Sequence, residues 1–384
     1  MIKTDVCIIG AGPSGAATSL MLSKLQIPHH IIDKATFPRD KTCGDGLILY
    51  AYKSLKTLDL LDEFLSDSRF LHSKKINLHV KDNLRVQFKE SEDRDMVITY
   101  ARRMDFDHFL VEHLSEEYAT QEFGNGVKSM KEQADGILVK LKDGKEILSK
   151  FVVGADGVQS IVSRKLAKNK VDRRLMSTFV SAYFDGVEGM PLENDAEVRM
   201  VYHKMPLFFY IFPLADGQVN VSLGGRADHM QTHGINLIEE VEEIIQNHPK
   251  VQYKFTHAKM TSKWRGWTIP FHFGNQTITG NRFLLVGDAA GLANAFYKEG
   301  VGTGMMSGII AAQNIAQCLK SDDFSASTLK TYESDLKKEF GRLLDFSHKA
   351  LRIARFKRVF SGIVSLTKWR VQGRAPKMIQ KRSY

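Results

Sequence analysis

Acidic residues disappear from the end of this chain: from residue 346 to residue 384 there is neither Asp nor Glu. Eleven Lys and Arg residues fall in that stretch, against a net charge of +10 for the whole chain, so the rest of the protein is close to neutral. Any charge-driven partner is therefore to be sought at the C-terminal end. Cysteine is scarce as well. Cys7, Cys43 and Cys318 lie far apart, which excludes a disulfide framework and a cysteine-based metal site. With no basic-then-apolar leader at the start, the expectation is a reducing, cytoplasmic setting and no metal ion. Long apolar runs are missing too. The longest, residues 207–212 followed by Pro213, is far short of the roughly 20 residues a membrane-spanning helix needs.

What is present begins at the N-terminus. Residues 5–9 form a short apolar strand, followed by the glycine pattern Gly10-Ala11-Gly12-Pro13-Ser14-Gly15 and a helical run over 16–25. This is the context that the dinucleotide fingerprint G-x-G-x-x-G requires. Gly10 permits the tight turn, Gly12 lets a pyrophosphate approach the backbone, and Gly15 allows helix and sheet to pack closely. A second strand, 30–33, ends in Asp33, placed to accept hydrogen bonds from a ribose. Two more glycine-aspartate loops follow apolar strands, one around Asp156 and one around Asp288. Together the three loops read as one extended dinucleotide lying across a parallel sheet.

These residues carry a family resemblance. GAGPSG with Asp33, GADGVQSIVSR, and RFLLVGDAAGLANAFYKEGVGTG resemble the three signatures of flavoproteins of the para-hydroxybenzoate hydroxylase fold. The resemblance covers residues 1 to about 310. It implies an α/β fold: a Rossmann-like FAD-binding domain with an inserted antiparallel β-sheet substrate domain and C-terminal helices. It also implies FAD contacts from Gly10, Ala11, Gly12, Pro13, Ser14, Gly15, Asp33, Lys34, Arg103, Val127, Asp156, Gly287, Asp288, Gly291, Gly300, Val301 and Gly302. Arg103 has a second reading as an arginine at the start of a surface helix.

The loop KTCGDG, residues 41–46, resembles the K-x-C-G-G-G loop of geranylgeranyl reductases, with Asp45 standing where glycine is commoner. In that family the loop lies over the flavin face, which makes Cys43, Gly44 and Asp45 candidate catalytic residues; buried and inert is the other reading of Cys43. The same family has a Y-x-W-x-F-P strand followed by G-x-G. Here Phe208, Tyr210 and Phe212 precede Pro213, and Ser222 replaces the first glycine. Alternation sets the three aromatics on one strand face, where they wall either an apolar substrate tunnel or a sheet core. Trp264 and Trp267 resemble a halogenase W-x-W-x-I-P signature with the spacing wrong by one residue, and that segment is read as structural.

The expected organisation is an FAD domain from residues 1–73, 98–172 and 271–320 and a β-rich substrate domain from 74–97 and 173–270. Residues 321–384 then form a C-terminal helical region. Residues 236–246 read as a helix with exposed acids. In the tail, Ile353, Phe356, Val359, Phe360, Ile363, Val364 and Leu366 share one face of a helical wheel with basic flanks. Such a face suits an anionic membrane surface, on the cytoplasmic side, or a helix packed on the body. No nucleic-acid reader motif accompanies the charge. The expected activity is FAD-dependent reduction of C=C bonds in a polyprenyl lipid, with NAD(P)H or another cellular reductant as electron donor. An oxygen- and NAD(P)H-dependent hydroxylase acting on an aromatic or polyene substrate, and a non-catalytic flavin-bound lipid-binding protein, are the alternatives.

Overall fold

The computed structural model describes residues 1–73, 75–81, 84–89, 98–190, 196–203 and 205–371. Its first sheet is built on a parallel core in the order Phe283–Leu285, Glu146–Gly154, Ile2–Ile9, His29–Asp33, Ala119–Phe123. Val6, Cys7, Ile8, Phe151, Val152 and Val153 have no exposed surface. Such runs are buried on both faces, as a parallel sheet covered by helices demands.

Two helices cover this sheet by pressing backbone on backbone. Pro13–Lys24 follows the first strand, and Val301–Ser321 packs beside it. A Cβ on Gly308 would stand 2.4 Å from Ser14 O, and one on Gly304 2.5 Å from Ser14 Oγ. The glycine-rich start of the second helix is thus a packing device. Lys330–Ala354 follows, burying Tyr332, Leu336, Phe340, Leu344 and Leu351 along one stripe. Tyr332 donates its hydroxyl to Leu285 O at 2.8 Å, tying that helix to the sheet edge.

The second sheet runs in the order Lys259–Met260, Met176–Asp185, Val219–Arg226, Met205–Pro213, Ala196–His203, Lys75–Lys81, Leu84–Lys89, with Arg265–Pro270 added beside Met176–Asp185. All its pairs are antiparallel except Ala196–His203 with Lys75–Lys81. The sheet is thus antiparallel as expected, apart from that one pair. Those two strands come from separate segments, so no hairpin constrains their direction. Strand Met205–Pro213 is buried on both faces: Leu207, Phe209 and Ile211 lie in one apolar cluster with Val241 and Ile244 of helix Leu237–Asn247, while Phe208, Tyr210 and Phe212 lie in another. Each such aromatic withdrawn from water contributes about 1.5–3 kcal/mol.

The tail departs from one continuous helical wheel. Helix Lys330–Ala354 ends, the chain turns at Arg355 and Phe356, and a separate helix runs over Lys357–Val371. Its apolar residues divide. Phe360 is buried against Phe296, their ring centroids 5.7 Å apart, whereas Phe356, Val359 and Ile363 stay exposed. Residues 372–384, with four of the tail's basic residues, Arg374, Lys377, Lys381 and Arg382, lie outside the described residues, and so does the side chain of Leu366.

Candidate active site

One continuous cavity of about 960 Å³ runs between the two sheets. At one end the first strand stops at Gly10, whose φ is +104°. A Cβ there would meet Ala155 O at 2.4 Å, and one on Gly15 would stand 1.8 Å from Gly10 O. Only glycine fits where the first loop crosses the Asp156 loop. Gly12 faces the cavity instead: the nearest atom to a Cβ there is Arg39 Nη2 at 3.3 Å. Gly12 is also the N-cap of Pro13–Lys24, a helix with no acid in its first turn and no side-chain cap. That end therefore presents backbone N–H dipoles to an anion.

Around this cradle Asp33 accepts from Ala11 N–H at 2.8 Å and Ala35 N–H at 2.9 Å, which holds its carboxylate at the cavity edge. Lys34 and Val127 line the same end. Asp156 accepts from Ile161 N–H through Oδ2 at 2.5 Å, while its Oδ1 is buried with no protein partner. Burial raises its pKa. An orphaned acceptor beside a glycine cradle fits a ligand rich in hydroxyl donors and phosphate, as FAD is.

Of the other expected contacts, Pro13, Ser14, Arg103, Asp288, Gly300 and Val301 line the cavity. Ala11, Gly15, Gly287, Gly291 and Gly302 do not lie on the cavity wall. A Cβ on Gly287 would strike Ser14 Oγ at 2.1 Å, on Gly291 the His272 ring at 2.3 Å, and on Gly302 Ala51 N at 2.4 Å. These glycines let neighbouring segments touch, and they shape the wall from behind. Arg103 opens helix Arg103–Glu112 but is buried, gripping Asp107 through Nε at 2.7 Å and Nη2 at 2.9 Å. Although burial opposes its charge, Asp107 and the Cys43 thiol hold its pKa above the usual value.

The Cys43 loop crosses the middle of the cavity. Cys43 is half-buried, and burial raises its pKa. Its carbonyl accepts from Asn220 Nδ2 at 2.9 Å and Ser181 Oγ at 3.2 Å. Asp45 is wholly buried in the left-handed region at φ +62°. Its carboxylate accepts from Asn220 Nδ2 at 2.6 Å, Tyr183 OH at 2.9 Å and Arg103 N–H at 3.3 Å. Burial outweighs these donors and lifts its pKa to about 7. The loop is thus tied to strands Met176–Asp185 and Val219–Arg226 by a polar knot inside an apolar wall.

Beyond the loop the lining is aromatic and aliphatic: Ile48, Ile76, Leu78, Phe179, Val198, Phe208, Tyr210, Phe212, Ile269 and Phe296. Phe179 stacks on Tyr210 at 5.7 Å and 5°, and Tyr210 on Phe212 at 5.2 Å and 29°. A Cβ on Gly224 would fall 2.3 Å from Phe179 Cγ, so this glycine makes room for the stack. The alternation expected from the sequence holds, and all three aromatics face the cavity.

Several lining residues escaped the sequence reading. Trp267, read as structural, lines the cavity with its Nε1 buried and unpartnered and Lys41 Nζ 5.1 Å over its ring, while Trp264 packs on Phe184 elsewhere. The one-residue shift that argued against a halogenase signature is what separates them. Lys298 and Glu299, two charges inside an otherwise apolar, glycine-rich run, also line the wall. Burial moves both toward neutrality, Lys298 down to about 7 and Glu299 up to about 7. Their signal was that charge pair between aromatics and glycine.

Comparison with known proteins adds the family. A menaquinone reductase of Mycobacterium tuberculosis is 25% identical over 329 residues, covering 81% of this chain and 76% of that protein. A digeranylgeranylglycerophospholipid reductase 2 of Methanopyrus kandleri is 25% identical over 361 residues, covering 92% and 87%. The crystal structure of a geranylgeranyl bacteriochlorophyll reductase-like protein from Thermoplasma acidophilum superposes with a TM-score of 0.85 at 19% identity, covering 99% of this chain and 94% of that one. With residues 3–347 matching the FAD binding domain family, the chain belongs to that family and is an FAD-dependent oxidoreductase with relatives among geranylgeranyl-type reductases.

Proposed function

We propose that the protein reduces C=C bonds of a polyprenyl lipid with electrons from bound FAD, supplied in turn by NAD(P)H or another cellular reductant. The observation that carries this reading is the continuity of one cavity from a phosphate cradle to an aromatic tunnel, with the Cys43 loop between them. We assign the cradle and its flanks to the cofactor: Gly10, Gly12, Pro13 and Ser14 at the pyrophosphate, Asp33 and Lys34 toward a ribose, and Arg103, Val127, Asp156, Asp288, Gly300 and Val301 along the rest. Phe208, Tyr210 and Phe212 are assigned to the prenyl chain. The first sheet and its helices then form the cofactor domain, and the second sheet forms the substrate domain.

Reduced FAD supplies a hydride when bound. An isolated alkene accepts hydride poorly, so the protein's share is to hold the chain in reach, exclude water and time a proton. The stacked faces of Phe179, Tyr210 and Phe212 can hold a flat, branched prenyl unit and favour positive charge that develops on it. Gly44 and Gly46 keep the loop thin where a side chain would intrude: a Cβ on Gly46 would meet Phe212 Cε2 at 2.9 Å. Cys43 adds a small, neutral thiol at the same place. The test is mass spectrometry of prenyl lipids incubated anaerobically with the chemically reduced enzyme. A gain of two hydrogens per reduced unit is expected. A gain of one oxygen atom, seen only in air with NAD(P)H, would make the protein a hydroxylase; binding without either product would make it a non-catalytic lipid-binding protein.

A second part of the proposal concerns where the lipid enters. The exposed side chains of Ile353, Phe356, Val359 and Ile363 lie among Arg352, Arg355, Lys357 and Arg358, and Phe360 of the same segment packs on the cavity residue Phe296. This supports docking of the tail on an anionic membrane beside the tunnel. No helix among the described residues is long and apolar enough to cross a bilayer. Replacing those four exposed residues with Ser is expected to weaken binding to phosphatidylglycerol vesicles in a sedimentation assay, and equal binding rejects the idea.

A further inference from the structure

The turn before helix Val301–Ser321 carries an ionisable side chain for which the reading above has no task. Lys298 is only 8% exposed and lines the cavity. Its backbone sits at φ +61°, a conformation that strains any residue with a Cβ. Among the described residues, Asp45 and Lys298 are the two non-glycine positions of positive φ on the cavity wall. Such strain persists where the surroundings over-determine it, and it gathers at functional sites.

The surroundings of the amine are unusual for a lysine. Its Nζ donates to Ser177 Oγ at 2.8 Å and to Ala295 O, which leaves one N–H of an ammonium uncommitted. The rings of Phe271 and Phe208 lie 5.1 Å and 5.7 Å from it. Among the described residues no carboxylate acts on it as an ion-pair partner. The charged or titratable groups around this corner are Arg226, at the end of strand Val219–Arg226 and paired with Asp228 at 2.6 Å, and His348 of helix Lys330–Ala354, which lies between Asp345 and Arg352; of these, Arg226 acts on the amine itself. Aromatic faces help a cation remain there, while burial and Arg226 favour its neutral form.

The other candidate acids on the wall are committed differently. Asp45 is enclosed by three donors, and Glu299 accepts from Gly302 N–H at 2.5 Å at the start of the helix. Tyr210 has its pKa raised by burial, as has Cys43. Lys298 lines the cavity, its amine lies 5.7 Å from the ring of the cavity residue Phe208 with one N–H left uncommitted, and it needs no anion in return.

We propose that Lys298 is the proton donor for the alkene reduction, an inference that rests on the reductase reading. The ammonium N–H bond breaks, and the alkene's π pair forms a C–H bond at the less substituted carbon. The second C–H bond, at the more substituted carbon, takes the hydride of the reduced flavin; the alkene gains two electrons and the flavin loses two. Lysine suits an apolar tunnel because it turns neutral as positive charge develops on the substrate, so the two never repel. A carboxylic acid would leave a buried anion. The neutral amine regains its proton from solvent before the next turnover.

The test is an anaerobic single turnover of the chemically reduced holoenzyme with a detergent-dispersed geranylgeranyl glycerolipid, followed by flavin reoxidation across pH 5.5–9. The wild-type rate is expected to fall as pH rises through about 7. Lys298→Met should lower it about 100-fold and flatten the profile, with FAD affinity and the flavin spectrum unchanged. Lys298→Arg, which keeps the charge but cannot release the proton, should not restore the rate. Independently of turnover, the Lys298 side-chain NMR signal, assigned by its loss in Lys298→Met, should titrate near neutral pH in the oxidised holoenzyme. Rescue by Arg, an unchanged Lys298→Met profile, or titration near the ordinary lysine value of 10.5 overturns the proposal. If the wild type reduces no prenyl probe, both the reductase reading and this proposal fail; a working wild type with an equally fast Lys298→Met rejects only the proton donor.

Discussion

Replacing Asp45 by Asn tests the polar knot under the loop. Asp45 has no exposed surface, and burial raises its pKa from 3.8 to about 7 despite donors from Asn220, Tyr183 and Arg103 N–H and the field of the Arg103 guanidinium. A folded-state pKa above the unfolded value means the folded protein binds the extra proton. The associated stability is fully present below pH 3.8 and is lost as pH rises through about 7. A shift of that size corresponds to about 4 kcal/mol over the full window, and about 2 to 3 kcal/mol between pH 5 and pH 8. Asn resembles the protonated acid in shape and does not titrate. Its NH₂ meets donors rather than acceptors, a roughly pH-independent cost of about 1–3 kcal/mol. Urea unfolding of the FAD-saturated wild type and Asp45→Asn at pH 5, 6.5 and 8 should therefore show the variant gaining about 2 kcal/mol on the wild type as pH rises. A difference that stays constant with pH would mean that Asp45 ionises normally and that the knot is open to solvent.

The remaining predictions concern the wall and the cradle. Cys43→Ala should retain FAD, read by absorbance, and change turnover or product pattern in the prenyl assay; unchanged rates and products would remove the thiol from the site. Gly12→Val puts methyl groups where the cavity meets the helix N-terminus, so FAD affinity should fall at least about tenfold, or ~1.4 kcal/mol, with little change in circular dichroism. Normal affinity would place the phosphates elsewhere. Gly224→Ala drives a methyl into Phe179 and should destabilise the protein by about 1–3 kcal/mol while disturbing the Phe179–Tyr210 stack. A thermal midpoint equal to that of the wild type would show that the stack can yield.

Local chemistry in this chain was legible because it is written in short, contiguous patterns. The run Ile2–Ile9, the turn at Gly10 and the helix Pro13–Lys24 follow from neighbouring residues, as does the alternation that sets Phe208, Tyr210 and Phe212 on one face. Asn236 and the acids after it announce the helix Leu237–Asn247, where the Asn236 side chain accepts from Ile238 N–H at 3.1 Å. A glycine's task was harder to read. Gly12 opens on the cavity and Gly291 is pressed against His272, but the two look alike in sequence, because the difference lies in what the rest of the chain brings alongside.

The sequence by itself determined the nucleotide fingerprint, the aromatic strand face, the absence of a membrane-spanning run among its apolar stretches and the basic, acid-free tail. Tertiary structure alone decided that the face meets the cradle in one cavity, that Asp45 is bound by Tyr183 and Asn220 from distant strands, and that Trp267 and Lys298 belong to the wall. It also split the tail, burying Phe360 on Phe296 and leaving Phe356, Val359 and Ile363 exposed. The physical reason is range. Backbone preference and side-chain period act over a few residues, whereas desolvation, and with it the ionisation of Asp45 and Lys298, depends on every segment that closes over a group.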